Sequence, residues 1–232
     1  MDIWKKLVSN YFGWNEKEKE PPTGGIRRVG YIIINYPGKL FVINIVFLLC
    51  CLPIVTAPAA FIALNRYVFR IFQKGYDFSL ADYWDEFKSS LGRRIPLGIL
   101  AGFLCFYGYY LMSLAGNFAE ETMHAVVIGI GIAFAVIGLL MGAYTFFLSA
   151  VLELPNKAII KNAFLLIFLD WKATLGVLVI IVAELGLLVA FSPYSLYLVL
   201  IGGASIGQLG ICALLYPVVR KRIIEPYERQ SV

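Results

Sequence analysis

Long stretches without charge limit this chain more than any other feature of its sequence. Residues 40–65, 95–119 and 122–152 contain no Asp, Glu, Lys or Arg, and residues 173–219 contain a single charge, Glu184. A helix crosses the hydrocarbon core of a bilayer with about 20 apolar residues. The second and third stretches each supply one crossing, at about 95–116 and 125–151. The last is long enough for two, about 173–191 and 195–218, with Ser192-Pro193-Tyr194 as the turn. Composition agrees with this reading. Of the 232 residues, 60% are AVILMFWYC and only 15% are charged, against roughly 25% charged in a soluble domain. A compact soluble fold of this size could not hide so much apolar surface from water.

The first stretch carries a break. Pro53-Ile54-Val55-Thr56-Ala57-Pro58 falls near its centre, and proline both removes a backbone donor and disfavours helix for the residue before it. The spacing predicts two short arms, about 40–52 and 57–73. Thr56 is expected to cap the second arm, with Pro58 in its first turn. Lys39 and Arg66 bracket the break. The arms either re-enter the membrane or cross it fully, with Lys39, Arg66 and Arg70 facing protein or snorkelling to the surface.

The net charge of +5 then acquires a meaning. All 20 Lys and Arg fall in residues 5–39, 66–94, 157–172 and 220–229. A hairpin over 40–73 lets all four groups share one face, as the positive-inside rule prefers. Both termini are then cytoplasmic in a multi-pass protein of the cell membrane. With its basic excess explained by orientation, the chain needs no nucleic acid as a partner. No apolar core closed by a small-residue cleavage site occurs in the first 38 residues, so no cleaved leader is expected.

Three amphipathic stretches lie outside the spans. Residues 2–14 place Ile3, Trp4, Leu7, Val8, Tyr11 and Phe12 on one helical face, before a charged linker. Residues 79–91 carry Leu80, Tyr83, Trp84, Phe87 and Leu91 at helical spacing, with Ser79 and Asp82 placed for a capping box. The opposite face holds Asp82, Asp85, Glu86 and Lys88, which suits docking on the protein's own basic loops or on a partner. The third stretch, 156–168, follows Leu154-Pro155. A helix followed by a membrane hairpin thus occurs twice, at about 79–151 and 156–218. The expected fold is all-α and polytopic: four full spans plus a short N-terminal hairpin, six membrane segments in all. Residues 1–25 precede a single integral membrane domain over 26–232.

The segments LFVINIVFLLCCLPIVTAPAAFIALNRYVFRIFQKG and DFSLADYWDEFKSSLGRRIPLGIL resemble the YesL family of bacterial membrane proteins. Its pattern is matched by Asn44, Leu52 to Thr56, Pro58, Tyr67, Tyr83, Phe87, Lys88, Arg93 and Arg94. LPNKAIIKNAFLLIFLDWKATLGVLVI is similar to the family's second half, so the resemblance covers roughly residues 25–220. It implies an integral membrane protein associated, largely by gene context, with carbohydrate uptake, and it transfers no catalytic or ligand residue.

Several polar residues within the apolar stretches are candidate functional groups: Asn44, Thr56, Asn65, Arg66, Arg70, Glu184 and Gln208. Intramembrane carboxylates usually face a bundle interior or a cavity. Glu184 is therefore either a proton- or cation-responsive site or a polar contact near the outer leaflet. The Pro53–Pro58 break either lines a binding site, as broken helices do in transporters, or is a structural turn. Gly202-Gly203-Ala204-Ser205-Ile206-Gly207, with Gly210, reads as a close-packing face.

Cys50, Cys51, Cys105, Cys212 and His124 have no metal-ligand spacing, and no nucleophile, HExxH or Walker motif occurs. No metal, cofactor or catalytic residue is expected. The expected function is a non-enzymatic membrane accessory protein engaging a transporter, a regulatory partner or a second copy of itself. The alternative is a small solute transporter or channel using the broken hairpin and Glu184. A single cysteine placed in residues 1–20 of a cysteine-free variant should stay unlabelled by an impermeant thiol reagent in intact cells. Labelling there overturns the inside assignment.

Overall fold

The computed structural model describes residues 25–74, 79–118, 120–192 and 194–230. The amphipathic stretch 2–14 and its linker lie outside the described residues. All regular structure among those described is helical: α1 Gly25–Asn35, α2 Pro37–Cys51, α3 Ala57–Lys74, α4 Leu80–Ser90, α5 Ile95–Ala115, α6 Glu121–Val151, α7 Asn156–Leu169, α8 Trp171–Ala190, α9 Ser195–Ile201, α10 Gly203–Val219 and α11 Glu225–Gln230. A π-helical turn, Arg220–Ile224, joins the last two. Five segments are long and apolar enough to cross a membrane, and the bent pair α1–α2 raises the number to six. The chain is an all-α polytopic membrane protein.

The N-terminal region differs from the expected hairpin. Helix α1 precedes it, and α1 meets α2 at 88°. Pro37 opens α2 and keeps Tyr36 out of the helical region, at φ −126° and ψ 40°. Arg28 of α1 is buried and donates to the carbonyls of Phe72 (2.7 Å) and Gln73 (3.0 Å) at the end of α3. The proline break itself is an exposed turn, Ile54–Thr56, with Ile54 86% exposed. Thr56 does not play the expected role there. Its hydroxyl donates backwards, to the carbonyls of Cys50 (2.6 Å) and Pro53 (2.7 Å), closing the end of α2.

Helix α3 runs across α6. Phe61 stacks on Phe146 at 5.6 Å, Arg66 donates to the Ala150 carbonyl at 3.2 Å, and Phe69 meets Phe147 edge-on at 6.2 Å. Residues 61–69 cover about 12 Å of α3 while their partners cover about 6 Å of α6, so the two helices cross steeply. Pro58, in the first turn of α3, packs against Gly98 in the first turn of α5. Near its other end, Phe69 and Phe72 lie edge-on to Tyr216 of α10. One transverse helix thus ties α5, α6 and α10 together at the end where Arg93, Arg94 and Arg220 sit.

Helix α4 forms as expected on a capping box: Ser79 Oγ accepts from the Asp82 amide, and Asp82 Oδ2 accepts from the Ser79 amide. Tyr83 and Phe87 are buried in the central core, and Arg66–Glu86 at 3.2 Å pins the helix to α3. Arg94 links the next layer, donating to Leu154 O (2.9 Å) and Asn156 Oδ1 (2.7 Å), while Asn156 donates to Arg93 O (2.8 Å). Burial pushes the Arg94 guanidinium below its ordinary range; neighbouring Arg93 adds to this and Glu86 opposes it.

The last expected segment, 195–218, is two helices. They break at Gly202, whose φ of +150° lies where side chains are strained and glycine is not. Helices α5 and α6 pack through small residues. A Cβ added at Gly108 would lie 2.6 Å from the Gly131 carbonyl oxygen, and one at Gly138 would lie 2.7 Å from Cys105 Sγ. Replacing Gly108 by Val is therefore expected to destabilise the protein by about 1–3 kcal/mol, the usual cost of overpacking. Thermal unfolding in detergent measures it, and an unchanged midpoint refutes the close contact.

Candidate functional site

Where α9 breaks from α10, backbone groups lose their helical partners, and in a membrane they need replacements. Asn44 of α2 supplies them. It is fully buried, and its Nδ2 donates to the carbonyls of Val199 (2.6 Å) and Leu200 (3.1 Å). Its Oδ1 accepts from the Ser205 amide (3.2 Å), and Ser205 Oγ lies within hydrogen-bond reach of Leu40 O and Gly202 O. Ser195 Oγ donates to Leu188 O at 2.8 Å. The break is thereby stitched to α2 and α8.

A cavity of about 630 Å³ opens beside this stitching, between α2, α8, α9 and α10. Its walls are almost wholly apolar, including Phe47, Leu48, Ile180 and Leu187. Glu184 stands on one side of it, with Oε1 buried and without a hydrogen-bond partner. Gly207 makes room for that carboxylate: a Cβ there would overlap the Glu184 side chain. Close contacts of α8 with α10 continue along the pair, Gly210 with Ile180 and Gly176 with Leu214.

The remaining polar candidates lie elsewhere. Asn65 is buried and donates to Phe61 O at 2.9 Å, with its Oδ1 unpartnered. Gln208 is buried, its Oε1 also unpartnered, and it does not line the cavity. Arg66 is bound to Glu86 and Ala150, and Arg70 lies half-buried one turn further along α3. Pro53 and Pro58 lie outside the cavity walls. The cavity is lined by Glu184 and not by the proline break. The residues the sequence reading passed over are Gly202 and its neighbours as a break. The signal was present in the pair Gly202-Gly203 in a membrane segment.

The second candidate region is the outer face of α4. Asp82, Asp85 and Lys88 are exposed, whereas Glu86 turns inward to Arg66. Trp84 is 45% exposed, stacked on Phe87, with the Lys88 ammonium 5.9 Å from its ring centre. On the inner face the Tyr83 hydroxyl lies beside the Cys50 thiol outside hydrogen-bond geometry, and burial raises its pKa far above the ordinary phenol value.

A family model described as a protein of unknown function, DUF624, matches residues 40–111. The match spans α2 to most of α5, including Asn44, the proline turn and α4, and leaves Glu184 outside. No curated protein and no solved structure matches the chain.

The contact between Glu184 and Gly207 makes a double-mutant test direct. Gly207→Ala should lower stability by overpacking, roughly 1–3 kcal/mol, and most of that loss should disappear in a Glu184→Ala background. Additive effects of the two substitutions in detergent melting would show that the carboxylate does not pack on Gly207.

Proposed function

We propose that the chain is a non-enzymatic integral membrane accessory protein of a carbohydrate uptake system or of its regulation, with both termini cytoplasmic. The observation that carries this reading is the outer face of α4. This helix is capped at its start and pinned from behind by Tyr83, Phe87 and the Arg66–Glu86 pair. Its free face presents Asp82, Asp85 and the partly exposed ring of Trp84. An aromatic anchor beside carboxylates on a rigid element suits a basic cytoplasmic segment of a partner. The resemblance to the YesL family supports the link to carbohydrate uptake, and the region matched by the DUF624 model contains α4.

Co-purification from native membranes tests the reading. A transporter subunit should accompany the wild-type chain in stoichiometric amount and be captured severalfold less by Asp82→Lys/Asp85→Lys. Recovery of homo-oligomers alone, or undiminished capture by the charge-reversed variant, overturns it.

A second reading, a small solute transporter or channel, is favoured by one observation, the 630 Å³ cavity with an unpartnered carboxylate oxygen at its wall. Under that reading Glu184→Gln abolishes solute flux in reconstituted liposomes while leaving the fold intact. Flux at the wild-type rate in the variant removes it.

A further inference from the structure

Helix α7 shows two unlike faces. Ile159, Ala163, Leu166 and Ile167 are buried against the bundle. Lys157, Lys161, Phe164, Leu165 and Phe168 are all exposed, and their spacing of three and four residues places them in one outward stripe. The stripe is basic in its first half and apolar in its second. It borders a groove of about 400 Å³ against Met141 of α6, lined also by Lys157, Ile160, Lys161, Phe164 and Leu165. No carboxylate is among the described residues that line this groove, and the ion pairs Arg66–Glu86 and Arg220–Glu225 lie elsewhere.

Residues suited to a lipid interface follow the helix. Directly after it, Trp171 is 62% exposed, with the Lys172 ammonium 5.9 Å from its ring centre. Exposed tryptophan and lysine at the start of a spanning helix mark the interface between headgroups and acyl chains. The lysines of α7 stand next to apolar groove walls that a free anion would leave uncovered.

We propose that the groove between α6 and α7 binds an anionic phospholipid from the leaflet at the basic end of the bundle. Its phosphate lies between Lys157 and Lys161, and an acyl chain covers Met141, Phe164 and Leu165. Basic pockets beside spanning helices recognise anionic headgroups through this combination of charge and chain contact. A zwitterionic headgroup finds no acidic group among the lining residues to take its ammonium. The inference is independent of the partner and transport readings above, since it uses neither α4 nor the Glu184 cavity.

Native mass spectrometry of the full chain in detergent tests it, with dioleoylphosphatidylglycerol and dioleoylphosphatidylcholine as chain-matched probes. The wild type should bind the phosphatidylglycerol more tightly. Each lysine near a membrane surface contributes about 1 kcal/mol toward anionic lipid, so Lys157→Gln/Lys161→Gln should weaken that binding about 30-fold and leave phosphatidylcholine unchanged. Lys157→Arg/Lys161→Arg should keep the preference, which separates loss of charge from loss of fold. Lys172→Gln, outside the groove, should keep it too. Equal affinities for both lipids in the wild type, or undiminished phosphatidylglycerol binding by the double Gln variant, overturn the site. So does an equal loss in Lys172→Gln, which would mean diffuse attraction. Displacement of the lipid by millimolar inorganic phosphate would likewise overturn it, in favour of a free-anion site.

Discussion

Backbone amides and carbonyls in a hydrocarbon layer have no water to bind, so every interruption of a helix there must be repaired by protein groups. The interruption at Gly202 governs much of this structure for that reason. Asn44 and Ser205 take up the groups around the break and in doing so clamp α2 against α9 and α10. The cavity containing Glu184 lies beside this clamp, bounded by the same helices. A side chain on α2 thus holds the helix break beside a pocket lined by Glu184 of α8.

A related economy operates at the basic end. Two arginines direct their guanidinium groups at backbone carbonyls in the last turn of a helix, Arg28 at Phe72 and Gln73 and Arg66 at Ala150, while Arg94 binds the Leu154 carbonyl in the loop between α6 and α7. Carbonyls in the last turn of a helix lack intrahelical donors and carry the negative end of the helix dipole, so cations are favoured there. Residues that mark orientation when read as charges also lock α1, α3 and α6 in place. Transverse α3 is the member they share, since Arg28 closes its end and Arg66 projects from its middle. A helix so held presents α4 on a firm base.

Local chemistry made several elements legible from the sequence. The capping box at Ser79–Asp82, the spans near 95–116, 125–151 and 173–191, and the helix after Leu154-Pro155 all rest on caps, breakers and apolar length. These signals act within a few residues and survive any packing arrangement. Elsewhere the same local rules left more than one outcome. Pro53 and Pro58 end one helix and begin another, but whether their turn lies deep or exposed depends on what packs over it. The 88° bend at Tyr36 has its proline, Pro37, yet α1 before it, with only 11 residues, is too short to announce a span.

From the amino-acid order alone came the fold class, the spans near 95–116, 125–151 and 173–191 and the gathering of positive charge into four groups, because hydrophobic length and charge are sums over nearby residues. Only the folded chain decided that α3 lies across α6, that the last segment breaks at Gly202, and that Glu184 faces Gly207. Those outcomes depend on contacts between residues far apart in the chain, such as Asn44 with Ser205. No periodicity within a single segment carries the geometry of its partners.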